Sequence, residues 1–174
     1  IHCEVLLRMN DERGGIILPG SFMPAVERYH LAARVDKWVV SHAFDWIAQH
    51  QSQIDLCAIN LSGQSLSDPQ FLKFIQSSLR QADIPCDKIC FEITETAAIS
   101  QIQIAQEFIH TLSEMGCQFS LDDFGSGLSS FAYLRTLKVD ILKIDGQFVR
   151  DIETNPINLA MVKSIHEIAH LMGK

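Results

Sequence analysis

The sequence predicts an α/β fold built on a parallel sheet. Short apolar runs of β-branched character alternate five times with longer amphipathic stretches. Capping and turn residues fall at the junctions, and 174 residues at 47% apolar content suffice for one compact core.

The predicted strands are residues 3–8, 56–61, 89–94, 118–121 and 141–144, each brief and mostly apolar. Between them the 3.6-residue periodicity predicts helices over 21–30, 33–50, 68–82, 100–115, 129–136 and 157–172. Pro19-Gly20 precedes the first of these, Ser67-Asp68-Pro69 supplies an N-cap with proline at the first helical position, and Gly116 follows a helix end. An alternating chain of this kind closes into a barrel or stays open as a doubly wound sheet, and the pattern does not choose between them.

A net charge of −7 excludes a basic stripe, and with it binding to a nucleic-acid polymer through its backbone. The five cysteines (Cys3, Cys57, Cys86, Cys90 and Cys117) are scattered without a CxxC pair, the usage of a reducing compartment, so the cytoplasm is the expected location. No apolar run has the length of a membrane span, and any membrane tether is expected in segments outside these residues.

Polar residues at the strand ends carry the chemistry. Glu4 lies in Cys-Glu-Val-Leu-Leu-Arg, Asn60 in Ile-Asn-Leu-Ser, Glu92 in Phe-Glu-Ile-Thr-Glu, Asp122 and Asp123 in Leu-Asp-Asp-Phe-Gly, and Lys143 in Leu-Lys-Ile-Asp. One acid at a strand end is ordinarily a helix cap, and Asp122-Asp123 alone would suit the turn that Gly125 and Gly127 permit. Five apolar strands with such groups at corresponding positions imply a shared purpose, because a charge in a strand is costly unless paired or metal-bound. In a barrel these positions meet at one mouth. The donors are oxygen only, which selects hard cations such as Mg²⁺ or Mn²⁺ over zinc or copper. Adjacent aspartates can serve two ions about 4 Å apart, an arrangement suited to phosphodiester hydrolysis, with Lys143 holding the attacking water or offsetting charge on phosphate.

A different enzyme class is suggested by His166-Glu167-Ile168-Ala169-His170, which fits the HExxH pattern of zinc metalloproteases. The core stripe of that helix is Met161, Ile165, Ile168 and Met172, which places both histidines on the opposite, exposed side, and no third ligand follows.

The segments Glu4-Val5-Leu6-Leu7-Arg8, Ile59-Asn60-Leu61-Ser62, Phe91-Glu92-Ile93-Thr94-Glu95, the run from Asp122 to Ser130 and Leu142-Lys143-Ile144-Asp145 resemble, in order and spacing, the signatures of the EAL domains. The resemblance covers essentially the whole chain. It implies a TIM-like (β/α) barrel of the EAL type, incomplete at both ends in residues 1–174, lacking the family's first strand and its C-terminal strands. It also implies hydrolysis of cyclic di-GMP to linear pGpG with two Mg²⁺ or Mn²⁺ ions. Carried across, Glu4, Asn60, Glu92 and Asp122 are metal ligands, Asp123 serves the second metal and Lys143 positions the water. Glu95 orders the loop beginning at Phe124, Arg8 holds a substrate phosphate and Leu6 packs near a guanine, although a core-facing strand residue is the competing reading of Leu6. The middle alanine of the family's name motif is Val5 here, a side chain that is not a ligand. Some members bind cyclic di-GMP without turnover, a receptor reading opposed by the retained acids. Members also form homodimers and adjoin GGDEF or sensory domains; the stretch around Phe131, Tyr133 and Leu134 is read first as a helix packed on the barrel, with a dimer surface coupled to the site as the alternative.

Overall fold

A computed structural model describes residues 1–126 and 132–174. The chain begins with strand β1 (His2–Val5), followed by a small antiparallel hairpin of β2 (Met9–Asn10) and β3 (Ile16–Ile17). Helices α1 (Pro19–Arg28) and α2 (Ala32–His50) lead to β4 (Leu56–Asn60), the short α3 (Gly63–Leu66) and α4 (Pro69–Ala82). Then come β5 (Ile89–Thr94), α5 (Glu95–Ser100), α6 (Ile102–Ser113) and β6 (Gln118–Phe124). A 3₁₀ turn at Tyr133–Arg135, β7 (Ile141–Ile144), α7 (Gly146–Val149) and α8 (Pro156–Leu171) complete the described residues.

Strands β1, β4, β5, β6 and β7 pair in that order, all parallel, into a five-stranded sheet whose edges are β1 and β7. Helical crossovers link parallel neighbours and give the arc of a TIM-like barrel. The register aligns Ile59 with Phe91 and Phe91 with Phe119, so one face of the sheet is a continuous apolar layer. Helices α2, α4 and α6 cover that layer. Helix α4 shows why: Asp68 accepts from the Gln70 amide at 2.9 Å, Pro69 fixes the first turn, and Phe71, Ile75 and Leu79 repeat on the buried side. Phe71 stacks on Phe108 at 6.4 Å, and Phe108 meets Phe119 edge-on at 6.3 Å. Successive strand residues point to opposite faces, so the alternate set (Asn60, Glu92, Ser120, Asp122 and Lys143) occupies the concave side.

The predicted bounds of β5 and β7 hold, while β1 stops at Val5, three residues short of the predicted end. The chain there turns into the hairpin, whose two-residue strands are too short to show alternation. The predicted helix over 100–115 is α6, which starts after Gln101, whose φ of −143° is not helical, while the short α5 before it was not predicted. The predicted helix over 129–136 falls partly outside the described residues; its described part is the single 3₁₀ turn. Leu134 is 1% exposed and belongs to the core, as the packed reading of this stretch expects and the dimer-surface alternative does not; Phe131 lies outside the described residues.

Candidate functional site

Lys143, from β7, reaches across the concave face. Its Nζ stands 2.9 and 3.1 Å from the two carboxylate oxygens of Glu92, 3.4 Å from Glu4 Oε2 and 4.0 Å from Asp122 Oδ2. The Asn60 amide donates to the other Glu4 oxygen at 2.9 Å. Residues from all five parallel strands thus meet at the C-terminal ends of those strands, where a parallel barrel gathers its functional side chains.

The charges in the cluster do not balance. Burial pushes the Glu92 carboxyl above its ordinary range although the Lys143 ammonium pulls the other way, and burial together with Asp122 and Asp145 raises Asp123. Burial would lower Lys143, but Glu92, then Asp122 and Glu4, outweigh it and hold its proton more tightly than usual. At Glu4 the cost of burial is outweighed by the Asn60 amide and Lys143, and its carboxyl falls below the usual range. The raised carboxyls of Glu92 and Asp123 report burial first, while the tightly held Lys143 proton reports its acidic neighbours; Glu4, Glu92, Asp122 and Asp123 around one ammonium leave the cluster short of positive charge.

Asp123 adopts φ +54°, the left-handed region, at a register shift between Leu121 and Phe124 in the pairing of β6 with β7. Such a bulge re-aims side chains and is common beside functional sites. The next residue, Phe124, is fully buried and anchors the bend. Glu95, also fully buried, opens α5; its Oε2 accepts from the Gly125 amide at 2.8 Å and its Oε1 accepts from the Tyr133 hydroxyl. Glu95 therefore links the segment after Asp122-Asp123 to the 3₁₀ turn; residues 127–130 of the loop it was expected to order lie outside the described residues.

Arg8 and Leu6 line a cleft of about 330 Å³ beside Glu4 and Asn60, shared with Met23 and Asp36. Arg8 is exposed, its guanidinium donating to the Leu7 carbonyl at 2.7 Å. Leu6 is 59% exposed, so the core-facing reading of this residue is set aside. His166 and His170 are both exposed on α8, and Nδ1 of His170 faces the His166 carbonyl at 3.2 Å.

The acids at the strand ends are organised round an ammonium. Among the described residues no three His, Cys, Asp or Glu side chains stand close enough together to hold an ion as they are placed. The donor set nonetheless fits a hard divalent cation by chemistry: it is all oxygen, short of positive charge, and three of its carboxylates already surround one cationic nitrogen.

Two residues that shape the site were given no role in it from sequence. Tyr133 gave no local signal for its bond to Glu95. Asp36 did: it stands at a core position of α2 in line with Ala32, Val39, Val40 and Ala43, a charge inside an apolar stripe.

Fold and site together define a parallel-barrel α/β protein with an acidic, lysine-bearing mouth suited to phosphate chemistry. The sequence profile of the EAL domain matches residues 1–174, and the chain belongs to the EAL family. It is 43% identical over 173 residues to the cyclic di-GMP phosphodiesterase PdeB of Shewanella oneidensis, covering 98% of this chain and 20% of PdeB. It is 35% identical to the cyclic di-GMP phosphodiesterase PdeF of Escherichia coli, covering 98% of this chain and 23% of PdeF. The chain thus spans about a fifth to a quarter of these curated relatives. The crystal structure of the FimX EAL domain from Pseudomonas aeruginosa bound to c-di-GMP superposes with a TM-score of 0.90 at 32% identity, over 98% of this chain and 69% of that one. The PaMucR phosphodiesterase in complex with c-di-GMP gives 0.90 at 27% identity, over 97% and 69%.

Proposed function

We propose that the full-length protein hydrolyses cyclic di-GMP to linear pGpG. The observation that carries this reading is the convergence of Glu4, Asn60, Glu92, Asp122 and Lys143 on one point at the strand C-termini. Relatives that carry the name cyclic di-GMP phosphodiesterase support the choice of substrate.

Glu4, Asn60, Glu92, Asp122 and Asp123 are the residues that would hold two Mg²⁺ or Mn²⁺ ions. Divalent cations bound there supply Lewis acidity toward a phosphate oxygen and toward water. Lys143 then gives up its place among the carboxylates and directs its N–H groups at the oxygen of the attacking water, which it positions for phosphorus. Arg8, released from the Leu7 carbonyl, presents its planar fork to a phosphate, and Leu6 offers an exposed apolar contact to a guanine. Water gives up a proton as its oxygen adds to phosphorus, one phosphorus–oxygen bond to a ribose breaks, the leaving ribose oxygen takes up a proton, and the ring opens to the linear dinucleotide.

The test supplies the full-length protein with cyclic di-GMP and Mg²⁺ or Mn²⁺ and follows pGpG by chromatography, with Glu4→Ala and Asp122→Ala beside it. Product from the wild type that disappears in both variants supports the reading. Nucleotide binding without product under either metal would make the protein a cyclic di-GMP receptor instead.

A further inference from the structure

We infer that Asp36 is a positioning residue for the Asn60 arm of the site, acting from helix α2 through the loop that follows β4. The inference rests on the reading of Asn60 as a metal ligand.

Asp36 is a buried carboxylate, 6% exposed, and among the described residues no Lys or Arg forms an ion pair with it; the neighbouring Lys37 turns instead to Asp68 at 3.6 Å. A buried charge without a counter-charge is costly, so the position calls for a compensating role. Its partners are neutral donors from one short segment. The Ser62 amide donates to Oδ2 at 2.8 Å, and the Ser65 hydroxyl donates to the same oxygen at 2.6 Å. Ser62 in turn caps α3, its Oγ accepting from the Ser65 amide at 3.2 Å.

The segment so held begins at Asn60. The Leu61 amide donates to the Glu92 carbonyl at 2.8 Å, and the Ser62 amide donates to Asp36. The two residues after Asn60 are therefore pinned from opposite sides, one by the neighbouring strand and one by the covering helix. That leaves Asn60 little freedom to swing away from Glu4, to which its amide already donates at 2.9 Å. Asp36 and Asn60 also line the same cleft with Glu4. Removing Asp36 frees the Ser62 end of the pin while β4 itself stays paired.

Both donors converge on Oδ2, so the position needs one acceptor oxygen rather than a charge. An asparagine with its carbonyl turned to the same place accepts both bonds. This separates positioning from electrostatics.

The experiment measures Mn²⁺ affinity of the full-length protein by calorimetry for wild type, Asn60→Ala, Asp36→Ala, Asp36→Asn and the double variant Asp36→Ala/Asn60→Ala. Residues that orient a metal ligand change affinity by about 10- to 100-fold when removed. The expected pattern is a loss of about 10-fold for Asp36→Ala, near wild-type affinity for Asp36→Asn, and a double variant no weaker than Asn60→Ala alone. A merely structural role predicts losses that multiply in the double variant, and that result overturns the inference. Wild-type affinity in Asp36→Ala beside a weakened Asn60→Ala overturns it too. Wild-type affinity in Asn60→Ala refutes the metal-ligand reading of Asn60 and this inference with it. If Asp36→Ala does not fold, Ser65→Ala, which removes one donor to Oδ2, takes its place: a smaller loss of affinity supports the inference and none overturns it.

Discussion

The Lys143 ammonium lies 2.9 Å from Glu92 Oε2, holding a carboxylate whose side chain is only 5% exposed. That lysine is one-third exposed and the glutamate nearly enclosed, so the glutamate depends on the pair more than the lysine does. Truncation in Lys143→Met leaves Glu92 without its charged donor and is expected to cost about 1–3 kcal/mol without divalent metal. Because the ammonium stands where a cation is proposed to bind, Mg²⁺ should raise the melting temperature of Lys143→Met more than that of the wild type. Thermal unfolding with and without Mg²⁺ checks this. Equal shifts in the two proteins would mean that ammonium and ion do not share the carboxylates.

The bond from Tyr133 to buried Glu95 leads to a second prediction. Tyr133→Phe keeps the ring and removes one donor to a carboxylate that is 0% exposed, at an expected cost of about 1–3 kcal/mol. Glu95 also accepts from the Gly125 amide, and Gly125 lies two residues beyond Asp123, so the loss should reach the site. Phosphodiesterase activity of Tyr133→Phe is expected to fall even where the protein remains fully folded, as checked by turnover alongside circular dichroism. Full activity in the folded variant would confine Tyr133 to stability.

Much of this was legible in the sequence because the strands are short, mostly apolar runs, and a polar residue within one stands out against Val, Ile and Phe. Glu92 within Phe-Glu-Ile is such a residue, and its placement follows from the strand alone. The position of Lys143 among the acids does not, since it depends on the twist and reach of two non-adjacent strands. The bond from Tyr133 to Glu95 was invisible for a similar reason: the two lie 38 residues apart and only tertiary packing joins them. The hairpin after β1 was missed because two-residue strands carry no period at all. Asp36 was legible, as a charge in the apolar stripe of α2, but the motifs at the strand ends drew the reading elsewhere.

Asp36 also governs a pH response of stability. Burial pushes its carboxyl up, and the Ser65 hydroxyl and Ser62 amide pull it back only in part. The folded chain therefore binds this proton more tightly than the unfolded chain, where an aspartate titrates near about 3.9. Its contribution is fully present below that value and is lost as pH rises through the higher folded value. Asp36→Asn has no proton to lose. Relative to wild type it should gain stability as pH rises from about 3 through the folded value and level off above it. Urea unfolding of both proteins across that range measures the difference, and a gain by the wild type instead would show that the carboxylate is stabilised when charged.

Gly125 has φ +99°, and a Cβ there would lie 3.0 Å from Phe148 and 3.2 Å from Ile165. Gly125→Ala thus meets both backbone strain and two packed side chains, half-buried Phe148 and the core residue Ile165, with an expected cost of about 1–3 kcal/mol. The midpoint of urea unfolding should fall accordingly, and an unchanged midpoint would show that α7 and α8 give way to the methyl group.

Asp123 separates strain from chemistry. Its φ of +54° costs an ordinary L-residue about 1–2 kcal/mol, less for aspartate, and nothing comparable for glycine. Asp123→Gly should therefore be about as stable as wild type or slightly more so, whereas Asp123→Ala, which keeps a Cβ and loses the short polar side chain, should be about 1 kcal/mol less stable. If the carboxylate serves a metal, both variants lose turnover alike whatever their stability. Unfolding curves and turnover, measured on the same preparations, read the two effects apart: activity that tracks stability across the three proteins would reduce Asp123 to a residue of the bend, and activity lost in the stable glycine variant would place it in the chemistry.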